Sequence, residues 1–183
     1  MRGIGKSAVL EDTIKIRDYP FEPAIIYPGK EIHATEISAI HLNSYPPTLK
    51  LSDELIFVTR ECLDALSAFA ERNSIETSPR KTNWDLITEP FLDTEFDETY
   101  QTRTMTLLNA NGISGPEVEQ LRAEIADQMY KYNFDTMIWE WAFLGLNDVL
   151  LAMRPKYEKE EFEKFYWRAM EIEQRNKLRI ILT

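Results

Sequence analysis

One cysteine and two histidines are the scarcest residues in this chain of 183, and glycine numbers only six. Cys62 cannot close an intramolecular disulfide, so a fold stapled by bridges is excluded, and a lone thiol is compatible with a reducing compartment. His33 and His41 have no cysteine or further histidine at ligand spacing, which excludes the usual zinc signatures. No run approaches the roughly 18 to 20 apolar residues of a membrane-spanning helix. The opening MRGIGKSAVLEDTIK lacks the apolar core of a secretory signal, so the expectation is a cytoplasmic chain with no membrane partner.

Positive charge is also in deficit. Lys and Arg number 21 against 31 Asp and Glu, a net charge of −10, and no stretch gathers the basic residues together. Nucleic-acid affinity comes mainly from cations that release counterions from phosphate, so no nucleic-acid partner is expected. GIGKS at 3–7 ends like a phosphate-binding P-loop, but that motif needs a glycine five residues before Gly5 and a strand in front, and neither is there.

What is present divides into two halves with different periods. Before residue 60 the chain reads as short strands punctuated by turns: TIKIR (13–17), PAIIY (23–27), EIHATEISAIHL (31–42), TLKL (48–51) and ELIFV (54–58). Their close spacing predicts an antiparallel meander. Within 31–42 the period of two changes phase near Glu36, which predicts a bulge or bend there. The segment 60–73 changes to a helical period, with Leu63, Leu66, Phe69 and Ala70 on one stripe and Thr59 placed as N-cap. A small antiparallel sheet closed by one helix is similar in outline to a pleckstrin-homology-type module, although no diagnostic residue carries that name.

The polar stretch SIETSPRKTN (74–83) reads as a linker. The expected organisation is α+β: residues 1–75 form the sheet with its helix, and 76–183 form a helical subdomain of four to five helices packed against it. Helices are expected at about 83–88, 95–109, 114–131, 134–153 and 157–178. The fourth is apolar nearly all round and so reads as the central helix, with Trp139 and Trp141 about 200° apart around it. Along the last helix, Glu160 with Lys164, Glu171 with Arg175 and Glu173 with Lys177 stand at ion-pairing spacing, and Arg175, Lys177 and Arg179 suit the negative pole of its dipole.

The turn LLNANGISGPEVEQLRAEI (107–125) joins two of these helices. Asn111-Gly112 is a left-handed stop, Ser114 with Glu117 has capping-box spacing, and Ile113 with Val118 forms a hydrophobic staple. Such a hairpin (98–131) has the outline of a helix-turn-helix. A recognition helix leads with donors to phosphates and base edges, whereas this one carries Glu117, Glu119, Glu124 and Asp127 against Arg122 alone, so a DNA-binding regulator is disfavoured.

The most unusual charge cluster is DLITEPFLDTEFDE (85–98), with six carboxylates and no base. It departs from a calcium loop because Glu98 stands where the glycine belongs and Thr104 where the last glutamate belongs. Acidic first turns of two helices account for much of it, and Asp93, Glu95, Asp97 and Glu98 are the candidate partner-binding carboxylates. Glu140, between two tryptophans in the most apolar helix, is the candidate buried functional carboxylate, with Arg103, Arg122 or Arg168 as its expected partner. Cys62 reads as a packed or half-buried thiol, and His33 and His41 as surface or half-buried strand residues.

No catalytic motif, metal set or cofactor signature emerges from the residues. The function these features fit best is a non-enzymatic interaction module (an adaptor, a regulator or an immunity-type inhibitor) presenting an acidic surface to a protein partner, itself basic in the simplest case. Homo-oligomerisation is compatible with the same features. The alternative is an enzyme whose site is dispersed over Glu140, His33 or His41 in a pocket between the halves.

Overall fold

In TIKIR the apolar Ile14 and Ile16 alternate with Lys15 and Arg17, and that period is what a half-buried strand requires. The computed structural model describes residues 4–79, 82–92, 98–136 and 144–176, and the chain divides into two units, Met1–Arg80 and Lys81–Thr183. The fold is mixed α+β, with strands in the first unit and helices dominating the second.

The strands of the first unit form two sheets rather than one. Strands β1 (Lys6–Val9), β2 (Thr13–Arg17) and β3 (Lys30–His33) make one antiparallel meander, and β4 (Ala39–His41), β5 (Thr48–Leu51) and β6 (Glu54–Phe57) make another. The change of phase in 31–42 marks the division: a 3-10 turn at Ala34–Glu36 ends β3, with Glu36 Oε2 accepting from His33 N at 2.8 Å. Ile14, Ile16 and Ile32 are buried from the first sheet, and Ile40, Leu49 and Ile56 from the second. Tyr19, Phe21 and Phe57 meet edge to face, and the Tyr19 hydroxyl accepts from Phe57 N at 3.2 Å. Helix α1 (Leu63–Arg72) follows a 3-10 turn and buries Leu66, Phe69 and Ala70 of the expected stripe, while Leu63 is half-buried and Thr59 makes no side-chain cap.

Three expectations for this unit need correction. PAIIY is not a strand. It lies in a loop of successive turns in which Ala24 N donates to Phe21 O and Tyr27 N to Ala24 O, while Ile26 alone of its isoleucines is buried. Prolines at 20, 23 and 28 remove donors that a ladder would need. KSAV, passed over beside GIGKS, is strand β1. Finally, His41 is buried rather than half-exposed, its Nδ1 lying 2.9 Å from Pro79 O. That contact belongs to a larger one, because Ile40 N donates to Glu76 O and Ser78 N to Ile40 O. The start of the expected linker therefore runs along β4 and covers an edge that would otherwise present unpaired backbone groups.

In the second unit a six-residue helix, α2 (Asn83–Thr88), buries Asn83, Trp84, Ile87 and Thr88. Around it lie α3 (Glu98–Ala110), α4 (Gly115–Thr136), α5 (Leu146–Met153) and α6 (Lys159–Gln174). Six residues are too few to hold a helix by propagation, and the stabilising bonds come from other helices. Trp84 N donates to Glu173 Oε2 at 2.9 Å, and Trp84 Nε1 to Ala169 O at 2.9 Å, so α6 caps the start of α2 and grips its tryptophan. In return Asn83 Nδ2 points at the last carbonyls of α6, 2.7 Å from Ile172 O. Arg122 caps the other end of α2, with Nε 2.9 Å from Ile87 O. Thr82 makes no side-chain cap, because Glu173 has taken the donor it would have served.

The turn after α3 is a complete Schellman motif. Ile113 N donates to Leu108 O and Gly112 N to Asn109 O, with Gly112 at φ +85. Ile113 and Val118 are both fully buried, as a staple requires. The capping box of Ser114 with Glu117 gives way: Glu117 Oε1 instead accepts from Arg175 at 2.7 Å, a charge-assisted bond that outcompetes a neutral amide. Glu171 does pair with Arg175 as its spacing predicts, but Glu173 is buried under α2, and Glu160 forms no ion pair with Lys164. Among the described residues no helix is long and apolar enough to cross a membrane. The single helix expected over 134–153 is not formed: residues 134–136 end α4, and Leu144 and Gly145 are non-helical before α5 begins at Leu146. Trp139, Glu140 and Trp141 lie outside the described residues, as do Lys177 and Arg179.

Asn83 joins the network at one further point, accepting from Asn111 Nδ2 of the Schellman turn at 2.8 Å. Asn83→Ala is expected to cost ~1–3 kcal/mol, the range for stranding buried partners. Asn83→Asp should cost more, since it removes the donor and sets a carboxylate against the carbonyl pole of α6. Urea unfolding of the two variants checks the order.

Candidate functional surface on the helical unit

Helix α4 carries carboxylates on two faces, and the structure separates them. Glu117 turns toward α6 and pairs with Arg175, while Glu124 accepts from the Tyr157 hydroxyl at 2.7 Å and from Arg168. Those acidic groups are matched. Arg122, the one cation in the first part of the helix, turns inward to the carbonyls of Leu86 and Ile87, and its burial lowers its proton affinity from the usual arginine value while Glu89 and Glu119 raise it. The outward face is left with Glu119, Asp127 and Lys131, none of which forms an ion pair among the described residues.

That face ends in two exposed aromatic rings one turn apart. Tyr130 is 58% and Phe134 70% exposed. Tyr130 meets the buried Phe91 ring edge-on, with centroids 5.2 Å apart, and Asn133 Nδ2 donates to Phe91 O at 2.9 Å. Phe91 thus seats α4 against the 3-10 turn Glu89–Phe91, from which the chain runs through Leu92 directly into the acidic stretch.

Of the six carboxylates in 85–98, Glu89 is buried and accepts from Thr104 Oγ1 at 2.8 Å. Asp85 lies beside Gly145, where a methyl group would stand 3.0 Å from its Oδ1. Asp93, Glu95 and Asp97 lie outside the described residues, and Glu98 begins α3 with a side chain that is likewise outside them. Two of the arginines considered as partners for Glu140 are engaged elsewhere, Arg122 on α2 and Arg168 on Glu124. His33 is exposed in β3 and His41 buried beside β4. Cys62 is half-buried, within 3.4 Å of Ser7 O. Among the described residues no three His, Cys, Asp or Glu side chains gather as a metal site would require.

One group overlooked in the sequence is Asp148. Its Oδ2 accepts from Gly145 N at 2.9 Å, capping α5, and its Oδ1 accepts from the Tyr132 hydroxyl at 3.1 Å. Burial pushes the Asp148 carboxyl above the usual aspartate range against the lowering effect of those two bonds, and burial beside this carboxylate raises the Tyr132 hydroxyl as well. The GLNDV spacing, an acid three residues beyond a glycine, was the available signal; it was hidden inside a run read as one continuous helix.

The sign of the Asp148 contribution follows from its raised value. The folded state holds this proton more tightly than the unfolded chain, so the stability it lends is complete below about 3.8, its ordinary value, and is lost as pH rises through the higher folded value. Wild type is therefore expected to lose stability relative to Asp148→Asn as pH rises above that point, with a slope of at most about 1.4 kcal/mol per pH unit. Urea titrations at a series of pH values check it; a difference independent of pH would show that the carboxyl is not desolvated.

Comparison with protein-family models, with curated proteins and with solved structures finds no match to this chain.

Proposed function

We propose that the protein is a non-catalytic interaction module, an adaptor, regulator or immunity-type inhibitor, that presents an acidic surface to a basic protein partner. The observation that carries this is the outer face of α4, where Tyr130 and Phe134 stand exposed one turn apart beside Asp127, which forms no ion pair among the described residues. Aromatic anchors dominate the energy of protein interfaces, and unmatched charge around them sets partner choice and association rate. Asp93, Glu95, Asp97 and Glu98 are kept as candidate partner-binding carboxylates on the sequence alone. The inward turn of Arg122 supports a protein over a DNA partner, since the cation in the leading turns of the would-be recognition helix is committed to α2.

The test is affinity capture from the native host at about 50 mM and about 500 mM salt, conditions that span strong and weak screening. A basic protein held by wild type at low salt is expected to be lost at high salt. It is also expected to be lost at low salt from Tyr130→Ala/Phe134→Ala, and recovered at least tenfold less well by Asp127→Lys. Equal recovery by all variants, or binding insensitive to salt, overturns the proposal.

A further inference from the structure

The first sheet gathers charges that the chain keeps apart. Side chains alternate across a strand, so Lys15 and Arg17 of β2 face solvent while Ile14 and Ile16 face the core. Antiparallel register sets Lys6 of β1 directly opposite Arg17, and Ala8 opposite Lys15. Lys6, Lys15 and Arg17 therefore share one face. Lys15 is matched by Glu31 across the β2–β3 pair at 3.2 Å, and Lys30 is matched by Glu36. Lys6 and Arg17 form no ion pair among the described residues.

Like charges directly opposite one another weaken a strand pair. The cost is unusual in a chain where 31 acidic residues outnumber 21 basic ones and a carboxylate partner would be easy to supply. The chain packs closely against the Arg17 backbone, with Gly5, at φ +86, just before β1 and Gly29 just before β3. A Cβ at Gly29 would stand 2.7 Å from Ile16 O, and one at Gly5 would overlap Arg17 O. Beside Arg17, on the β3 side, the sheet opens into a groove of about 460 Å³ whose wall includes Lys15, Arg17, Asp18, Lys30 and Glu31; Lys6 is not in that wall and stands on the other side of Arg17, across the β1–β2 pair.

We propose that this face of the first sheet binds a compact phosphate-bearing anion, held by Arg17 and Lys6. A guanidinium matches two phosphate oxygens with parallel donors, and a lysine directly across the strand adds a point charge within the span of a pyrophosphate. The groove falls in the size range of small-molecule sites. Asp18 and Glu31 in its wall, with the net charge of −10, repel an extended polyanion and favour a short one.

Titration calorimetry of the full chain with inorganic pyrophosphate tests the site. Binding is expected to weaken at least tenfold in Lys6→Gln and in Arg17→Gln, and to hold or tighten in Glu31→Gln. Both cation variants should unfold at a temperature no lower than wild type without ligand, since each relieves the opposed charges. Amide shifts induced by pyrophosphate should centre on Lys6, Arg17 and Gly29. Vesicles of phosphatidylcholine with and without a phosphorylated inositol lipid distinguish the source: binding only to the phosphorylated vesicles, competed by pyrophosphate, supports a headgroup, and retention of pyrophosphate binding alone supports a soluble metabolite. Unchanged affinity in Lys6→Gln and Arg17→Gln, heat reproduced by sodium chloride at equal ionic strength, or tighter binding to a DNA oligonucleotide than to pyrophosphate overturns it.

Discussion

The exchange of caps between α2 and α6 is the interaction on which the helical unit depends. Asn83 at the start of α2 donates to the last carbonyls of α6, and Glu173 near the end of α6 accepts from the start of α2. A helix leaves donors unsatisfied at its beginning and acceptors at its end. Here the two kinds of end meet and satisfy one another. Trp84 fills the space beside them and is fully buried, its indole nitrogen bonded to Ala169 O. Because Arg122 supplies the other end of α2 and Asn111 reaches Asn83 from the Schellman turn, the helix is tied to α3, α4 and α6 through a handful of directed bonds. Buried polar groups of this kind are costly when broken and fix a unique arrangement when complete.

The same commitments sort the charges of the unit. Arg122 and Glu173 are drawn inside, Arg175 is shared between Glu171 and Glu117, and Arg168 meets Glu124. Glu119, Asp127 and Lys131 then remain outward without an ion pair among the described residues, beside Tyr130 and Phe134. The acidity of the outer face of α4 is thus a consequence of how the interior satisfies its backbone. In the first unit strand register has the opposite outcome, setting Lys6 against Arg17 on one face of an acidic protein.

Much of the secondary structure was legible because it rests on local periods. TIKIR, TLKL and ELIFV are strands, the Leu66, Phe69 and Ala70 stripe is buried, and Asn111-Gly112 stops its helix. PAIIY misled because apolar residues between prolines imitate a strand while the turn bonds go elsewhere. The site was far less legible. Nothing near Arg122 marks it as a cap for Ile87 35 residues away in the chain, and nothing near Asp148 marks Tyr132 as its donor. Pairings between distant residues carry no period and no local motif, so a single sequence is silent about them.

The sequence by itself determined the α+β class, the order of strands before helices, the turn between α3 and α4 and the surplus of carboxylates. Each of these follows from composition or from interactions within a few residues along the chain. Only the tertiary structure decided which carboxylates are buried, which arginine turns inward, that the strands split into two sheets, and which cations share a face. Those outcomes depend on burial and on contacts between residues far apart in sequence, where the cost of leaving a buried polar group or helix end unpaired selects one arrangement.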